Sequence, residues 1–94
     1  MIVLVVNYRV RPGTEELAKE YIRKMQEHTR KEPGCRLYVG HQSLEDPLLF
    51  CFYEQYADQA ALDAHRSATY FAEYVTNGLA TLAESRKAGL FEPV

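Results

Sequence analysis

No run of basic residues occurs in the chain, whose 11 Lys and Arg are outnumbered by 13 Asp and Glu for a net charge of −2. Nucleic-acid binding therefore has no electrostatic footprint here, and no nucleic-acid partner is expected. No apolar stretch approaches the roughly 20 residues of a membrane-spanning helix, so no membrane association is expected. The opening run, MIVLVV, lacks a basic leader and a small-residue cleavage site. It does not read as a signal peptide, and the cytoplasm is the expected compartment. Cysteine is scarce: Cys35 and Cys51 stand alone, with no CxxC and no histidine at zinc spacing, so no metal site is expected. No internal repeat, linker or low-complexity tract interrupts the sequence. A single domain is expected from Ile2 to Phe91.

Apolar residues, by contrast, are abundant. Of the 94 residues 47% are hydrophobic, among them seven Tyr and four Phe, and a chain this short buries only about two-thirds of its unfolded surface. The surplus points to an oligomer or a ligand cavity.

Ile2 to Val10 is mostly apolar and β-branched. Val3, Val5, Asn7 and Arg9 share one face of this strand; Leu4, Val6 and Tyr8 share the other. Apolar residues on both faces fit a central strand. Pro12 and Gly13 break it. Thr14 is placed to cap a helix whose apolar positions are Leu17, Ala18, Tyr21, Ile22 and Met25, ending at Glu32-Pro33-Gly34. Arg36 to Ser43 and Leu48 to Tyr56 read as strands joined by the turn Glu45-Asp46-Pro47, and so as an antiparallel hairpin. The two cysteines would lie several residues out of register in it, too far apart to bond, and are expected as buried thiols. Asp58 can cap a short helix ending at His65. A longer one is expected from Ala68 to Glu84, and a last strand from Ser85 to Phe91, with a frayed tail beyond.

The order is β-α-β-β-α-β, an α+β ferredoxin-like arrangement. Right-handed crossovers place both helices on one face of the sheet. The bare opposite face is too apolar for water, so a homodimer is expected, its two sheets packed face to face.

The second half holds Tyr53-Glu54-Gln55-Tyr56, Asp58, Ala61-Leu62, Ala64-His65-Arg66 and Tyr70-Phe71, preceded by Asn7-Tyr8 and Pro33-Gly34-Cys35. In these residues, and from Ile2 to Phe91, the chain resembles the antibiotic-biosynthesis-monooxygenase domain family, most closely its small quinol-monooxygenase and autoinducer-isomerase branches. The resemblance implies a dimeric α+β barrel with a cavity between sheet and helices, lined by the third strand and the segment around His65. It also implies oxidoreductase chemistry without metal or flavin, in which a deprotonated phenolic substrate reacts with molecular oxygen as co-substrate. Haem-degrading relatives carry a Trp near the short helix and a later His ligand. Here His65 and Val75 fall near those positions and the chain has no Trp, so haem is not expected. Polyketide-oxidising relatives carry an Asn and a Trp on the third strand, where this chain has Phe52 and Tyr56; His41 falls near a His of that branch.

The expected catalytic residues are His65, Glu54 and Asn7. His65 is either a helix-terminal cap or, as the resemblance implies, a base for a phenol or enol proton. Glu54 lies among Phe50, Phe52 and Tyr56, where a carboxylate must be ion-paired or hold its proton. Asn7 either orients a substrate oxygen or ties down a loop. Substrate-binding positions are Tyr56, Phe52, Phe71 and His41; His28 is expected at the surface. Arg36 and Arg66 are either anion contacts or surface ion pairs. The leading expectation is a cofactor-independent monooxygenase acting on a small quinol or electron-rich aromatic. The alternatives are an isomerase of a small phosphorylated keto sugar and a dimer that binds a ligand without chemistry.

Overall fold

The structure is a computed structural model describing residues 1–94. Strand β1 (Ile2–Val10) leads into helix α1 (Glu15–Thr29), then the hairpin of β2 (Cys35–Gln42) and β3 (Leu49–Tyr56). Helix α2 (Gln59–Ser67) precedes a second helical stretch made of α3 (Thr69–Phe71), a π-helical segment (Ala72–Leu79) and α4 (Ala80–Leu82); β4 (Ala83–Phe91) closes the fold. The sheet order is β2-β3-β1-β4 and every pairing is antiparallel. This is the expected α+β ferredoxin-like fold.

Alternation along the strands sorts the sheet into two faces. Leu4, Val6 and Tyr8 pair with Glu54, Phe52 and Phe50, and all six are buried beneath the helices. Helix α1 contributes Ala18, Ile22 and Met25 to the same core, and the later helices contribute Leu62, Val75, Leu79 and Leu82. Gly40 permits the close approach of α1: a Cβ there would sit 2.5 Å from Ile22 Cγ2. Its backbone N–H also donates to Gln26 Oε1 on α1, at 2.9 Å.

The opposite face carries Val3, Val5, Asn7 and Arg9, flanked across β3 by Gln55, Tyr53 and Cys51 and across β2 by Leu37, Val39 and His41. No helix covers it. Leu37 is 40% exposed and Tyr53 36%. The apolar character expected on both sides of β1 is present, but within one chain only one side is covered.

Local chemistry accounts for the helix boundaries. The Asp58 side chain accepts a hydrogen bond from Ala61 N and caps α2. Thr14 precedes α1 without the expected side-chain cap; its hydroxyl donates back to Arg11 O. Glu15 accepts from Gly13 N in the turn ahead of the helix. The helix expected from Ala68 to Glu84 is shorter at both ends, and its middle widens into π geometry, which a 3.6-residue pattern cannot reveal. Gly78 lies within this wide part, where a Cβ would meet the Tyr21 ring at 3.1 Å. Cys35 pairs with Tyr56 and Cys51 with His41, so they sit about 16 Å apart along the strands and cannot bond. Both thiols are free and half-buried rather than fully buried.

No helix is long and apolar enough to cross a membrane.

Candidate functional site

β3 delivers the site. Its alternation aims Phe50, Phe52, Glu54 and Tyr56 into the space under the helices, each 4% exposed or less. A carboxylate in such company is tolerated only with partners. Tyr56 donates its phenol hydrogen to Glu54 Oε1 at 2.5 Å. Burial, the largest influence, pushes the Glu54 carboxyl up to about 7; the Tyr56 hydrogen bond and the Arg66 and Arg86 charges oppose the rise, and Glu32 adds to it. At neutral pH this group is near half-protonation.

His65, the last buried residue of α2, projects onto the same spot and is 2% exposed. Its Nε2 lies 3.9 Å from Glu54 Oε1. On the other side its Nδ1 lies 3.0 Å from Glu32 Oε2. A carboxylate only accepts, so the neutral ring carries its hydrogen on Nδ1 and presents the Nε2 lone pair toward Glu54. Glu32 Oε2 also accepts a hydrogen bond from the Tyr70 hydroxyl. Burial lowers the His65 pKa, against an upward pull from the Glu32 hydrogen bond and charge. The imidazole is thus neutral near pH 7, a state able to take up a proton. Aromatic rings box it in: Tyr56 at 5.2 Å, Tyr38 at 5.6 Å and Phe71 edge-on at 5.3 Å between centroids.

These groups form the polar end of a cavity of about 30 Å³, room for a water or a diatomic gas. Its sheet wall includes Leu4, Val6 and Phe52; Phe71, Val75 and Leu79 form its helix wall. Arg66 and Arg86 also line it and are themselves exposed. No three His, Cys, Asp or Glu side chains converge in a metal-binding geometry.

Of the residues expected from the sequence, His65, Glu54, Phe52 and Phe71 line or point into one cavity, with Tyr56 directly behind Glu54. Asn7 and His41 do not join them. They flank Cys51 on the opposite, uncovered face. Asn7 is half-buried there, and His41 is exposed with Nδ1 3.2 Å from Cys51 O. The alternation that groups Asn7 with Val3 and Val5 points it away from Leu4, Val6 and Tyr8, and so away from the cavity. Arg36 lies off the cavity, exposed on β2. His28 is not a bare surface residue but stacks on Tyr70, 4.8 Å between centroids.

Sequence reasoning missed Glu32, Tyr70 and Tyr38. Glu32 reads as part of a helix-ending Glu-Pro-Gly, and its partner His65 is 33 positions away. The one available signal was that Tyr38, two residues before Gly40 on β2, has the alternation of an inward-facing position.

A family model described as antibiotic biosynthesis monooxygenase matches residues 1–77. The fold superposes on a crystal structure of an antibiotic biosynthesis monooxygenase with a TM-score of 0.93 and 26% identity, covering 100% of this chain and 99% of that one. A Bacteroides thetaiotaomicron protein described as a possible oxidoreductase aligns with a TM-score of 0.90 and 31% identity, covering 97% and 95% of the two chains. An uncharacterized Synechocystis protein is 32% identical over 94 residues, covering 97% of this chain. This chain spans only 62% of that relative's length.

Proposed function

The chain belongs to the antibiotic biosynthesis monooxygenase family, and on that premise we propose that it oxidises a small quinol or other electron-rich aromatic with molecular oxygen and no bound cofactor. The observation that carries this reading is a buried, neutral imidazole whose free Nε2 faces the polar end of an otherwise apolar cavity. The description of the Bacteroides thetaiotaomicron neighbour as a possible oxidoreductase agrees with it.

In this scheme the quinol hydroxyl hands its proton to His65 Nε2, and the resulting anion is electron-rich enough to pass one electron to oxygen. Recombination at a ring carbon gives a hydroperoxide. Loss of water leaves the hydroxyquinone, so one quinol and one O₂ give one hydroxyquinone and one H₂O. The Glu54 carboxylate stabilises the imidazolium as it forms. Apolar walls keep bulk water from the reacting pair.

A cavity of about 30 Å³ does not hold an aromatic ring, since benzene occupies an engineered cavity of roughly 150 Å³. Substrate entry in this scheme displaces the helix wall, and Phe71, half-buried beside His65, is the side chain with least to move. The test is oxygen uptake with a panel of small benzoquinols and naphthoquinols. Uptake above the autoxidation rate is expected; a panel-wide absence of it would sink the reading.

A second reading, isomerisation of a small phosphorylated keto sugar, draws on Arg66 and Arg86 beside the cavity, which suit a phosphate. The walls weigh against it. Eight of the twelve lining residues are hydrophobic and offer few partners to sugar hydroxyls, each expensive to bury unpaired. Turnover without oxygen would favour it.

The homodimer belongs to the same proposal. Val5, Tyr53, Leu37 and Val39 form an uncovered apolar patch, and a second copy laid sheet to sheet would bury it. Light scattering at micromolar concentration is expected to give twice the mass of 10.8 kDa for the wild type, and a Tyr53→Lys variant should dissociate. A monomeric wild type would exclude the dimer.

A further inference from the structure

We propose that Glu32, braced by Tyr70, is the positioning residue of the site and its proton relay: it holds His65 as the Nδ1–H tautomer with Nε2 open to the cavity, and exchanges protons between the ring and solvent. This rests on the reading of His65 as a base, but its geometry stands independently.

The Glu32 carboxylate reaches His65 from the loop after α1, 33 residues earlier in the chain. One oxygen, Oε2, receives both the imidazole N–H and the Tyr70 hydroxyl. Two donors fix the carboxylate, and the carboxylate fixes the ring. Which nitrogen of a neutral imidazole carries hydrogen is decided by the bond the other ring nitrogen makes. Here Nε2 has no hydrogen-bond partner, only Glu54 at 3.9 Å.

Exposure supplies the second half of the argument. The His65 side chain is 2% exposed and Glu54 5%, whereas Glu32 is 16% exposed. Of the two carboxylates beside the imidazole, Glu32 is the one in contact with water. When the substrate O–H bond breaks and the proton bonds to Nε2, the ring becomes an imidazolium. The Nδ1–H bond can then break, its proton passing to Glu32 Oε2 and from there to solvent. The ring returns to neutrality with its tautomer reversed; it is reset when the Nε2 hydrogen passes to the departing peroxide oxygen as water is lost and Nδ1 regains a proton from solvent through Glu32 Oε2, so that no net proton is released. Tyr70, whose hydroxyl donates to Glu32, is itself stacked on the His28 ring.

The experiment is ¹⁵N nuclear magnetic resonance of the His65 ring in the full chain, with Glu32→Gln, Glu32→Leu and Tyr70→Phe variants beside the wild type. The wild type at alkaline pH should show a protonated Nδ1 and an unprotonated Nε2. Glu32→Gln, which removes the charge but not the size, should move the His65 titration to lower pH. It should also reduce kcat with quinol at least about tenfold, with KM within about twofold, as outer ligands of a working histidine do. Glu32→Leu should scramble the tautomer; if it fails to fold, Tyr70→Phe should still shift the Nδ1 resonance. A wild-type ring protonated on Nε2, or a titration unmoved in Glu32→Gln, would overturn the proposal. Correct tautomer behaviour with no turnover of any quinol would instead fault the choice of reaction while upholding the role of Glu32.

Discussion

Replacing His65 by Ala is expected to reduce quinol-dependent oxygen uptake by about 10²–10⁴-fold, the usual worth of a general base. The residual rate reflects substrate held in an apolar pocket without a proton acceptor. Glu54 cannot take over. Its Oε1 is already engaged by the Tyr56 hydroxyl and lies 3.9 Å beyond the Nε2 position that meets the substrate. Glu32 reaches the site only through the imidazole, as Nδ1 is its contact there. The loss should fall on kcat more than KM, because the walls of Phe52, Phe71 and Leu79 remain. A variant that keeps its thermal transition and loses less than about threefold in rate would remove His65 from the chemistry.

The second large effect concerns Glu54 and pH. Its folded carboxyl titrates at about 7 against an ordinary value of 4.5. Between those values the folded chain keeps a proton that the unfolded chain has released. Stability contributed by this group is therefore intact at acid pH, falls as pH rises through that window, and is fully lost above about 7. At 1.36 kcal/mol per unit the loss is at most about 3 kcal/mol. Glu54→Gln removes the titration, so the variant should gain on the wild type by up to that amount between pH 5 and pH 8. Comparing the two proteins cancels contributions from groups away from the site; His65, whose lowered pKa has the opposite sign and whose contribution is present above about 6.5 and lost on acidification, is close enough to respond to the substitution and is followed separately. The neighbours that bear on Glu54 are Tyr56, Arg66, Glu32 and Arg86, with His65 at 3.9 Å. Activity should move the other way. The wild-type rate should rise with pH through about 7 as the carboxylate forms beside Nε2, and Glu54→Gln should lack that limb. Urea unfolding and initial rates across pH 5–8 check both. Parallel stability profiles would contradict the assignment.

The sequence reveals the fold because its elements are locally consistent. β1 spans the expected Ile2–Val10, since its β-branched run ends at Pro12-Gly13. The Asp58 cap is seen where a side-chain oxygen meets the free N–H of Ala61. Glu54 is legible for a different reason: a charged group in an aromatic strand is a misfit that demands a partner. His65 is singled out by the family resemblance, since its spacing alone reads equally as a helix-end cap. What stays hidden is non-local. Glu32 has no local mark, because its role comes from a meeting between the end of α1 and the end of α2. The π-helical wall from Ala72 to Leu79 keeps the apolar spacing of an ordinary helix. Asn7 lies apart from the cavity, on the face that the alternation of β1 gives it. Its side is decided by register, and register places it beside Cys51. The size of the cavity is invisible as well. Phe71, Val75 and Leu79 would give the same sequence pattern around a wide pocket as around this narrow one.

The reaction itself is tested most directly by running it under ¹⁸O₂ with the best quinol substrate and weighing the products. One ¹⁸O atom in each hydroxyquinone and the other in water, with both yields collapsing in His65→Ala, is the predicted result. Unlabelled quinone accompanied by an equal amount of hydrogen peroxide, or labelling that is the same in wild type and His65→Ala, would contradict it.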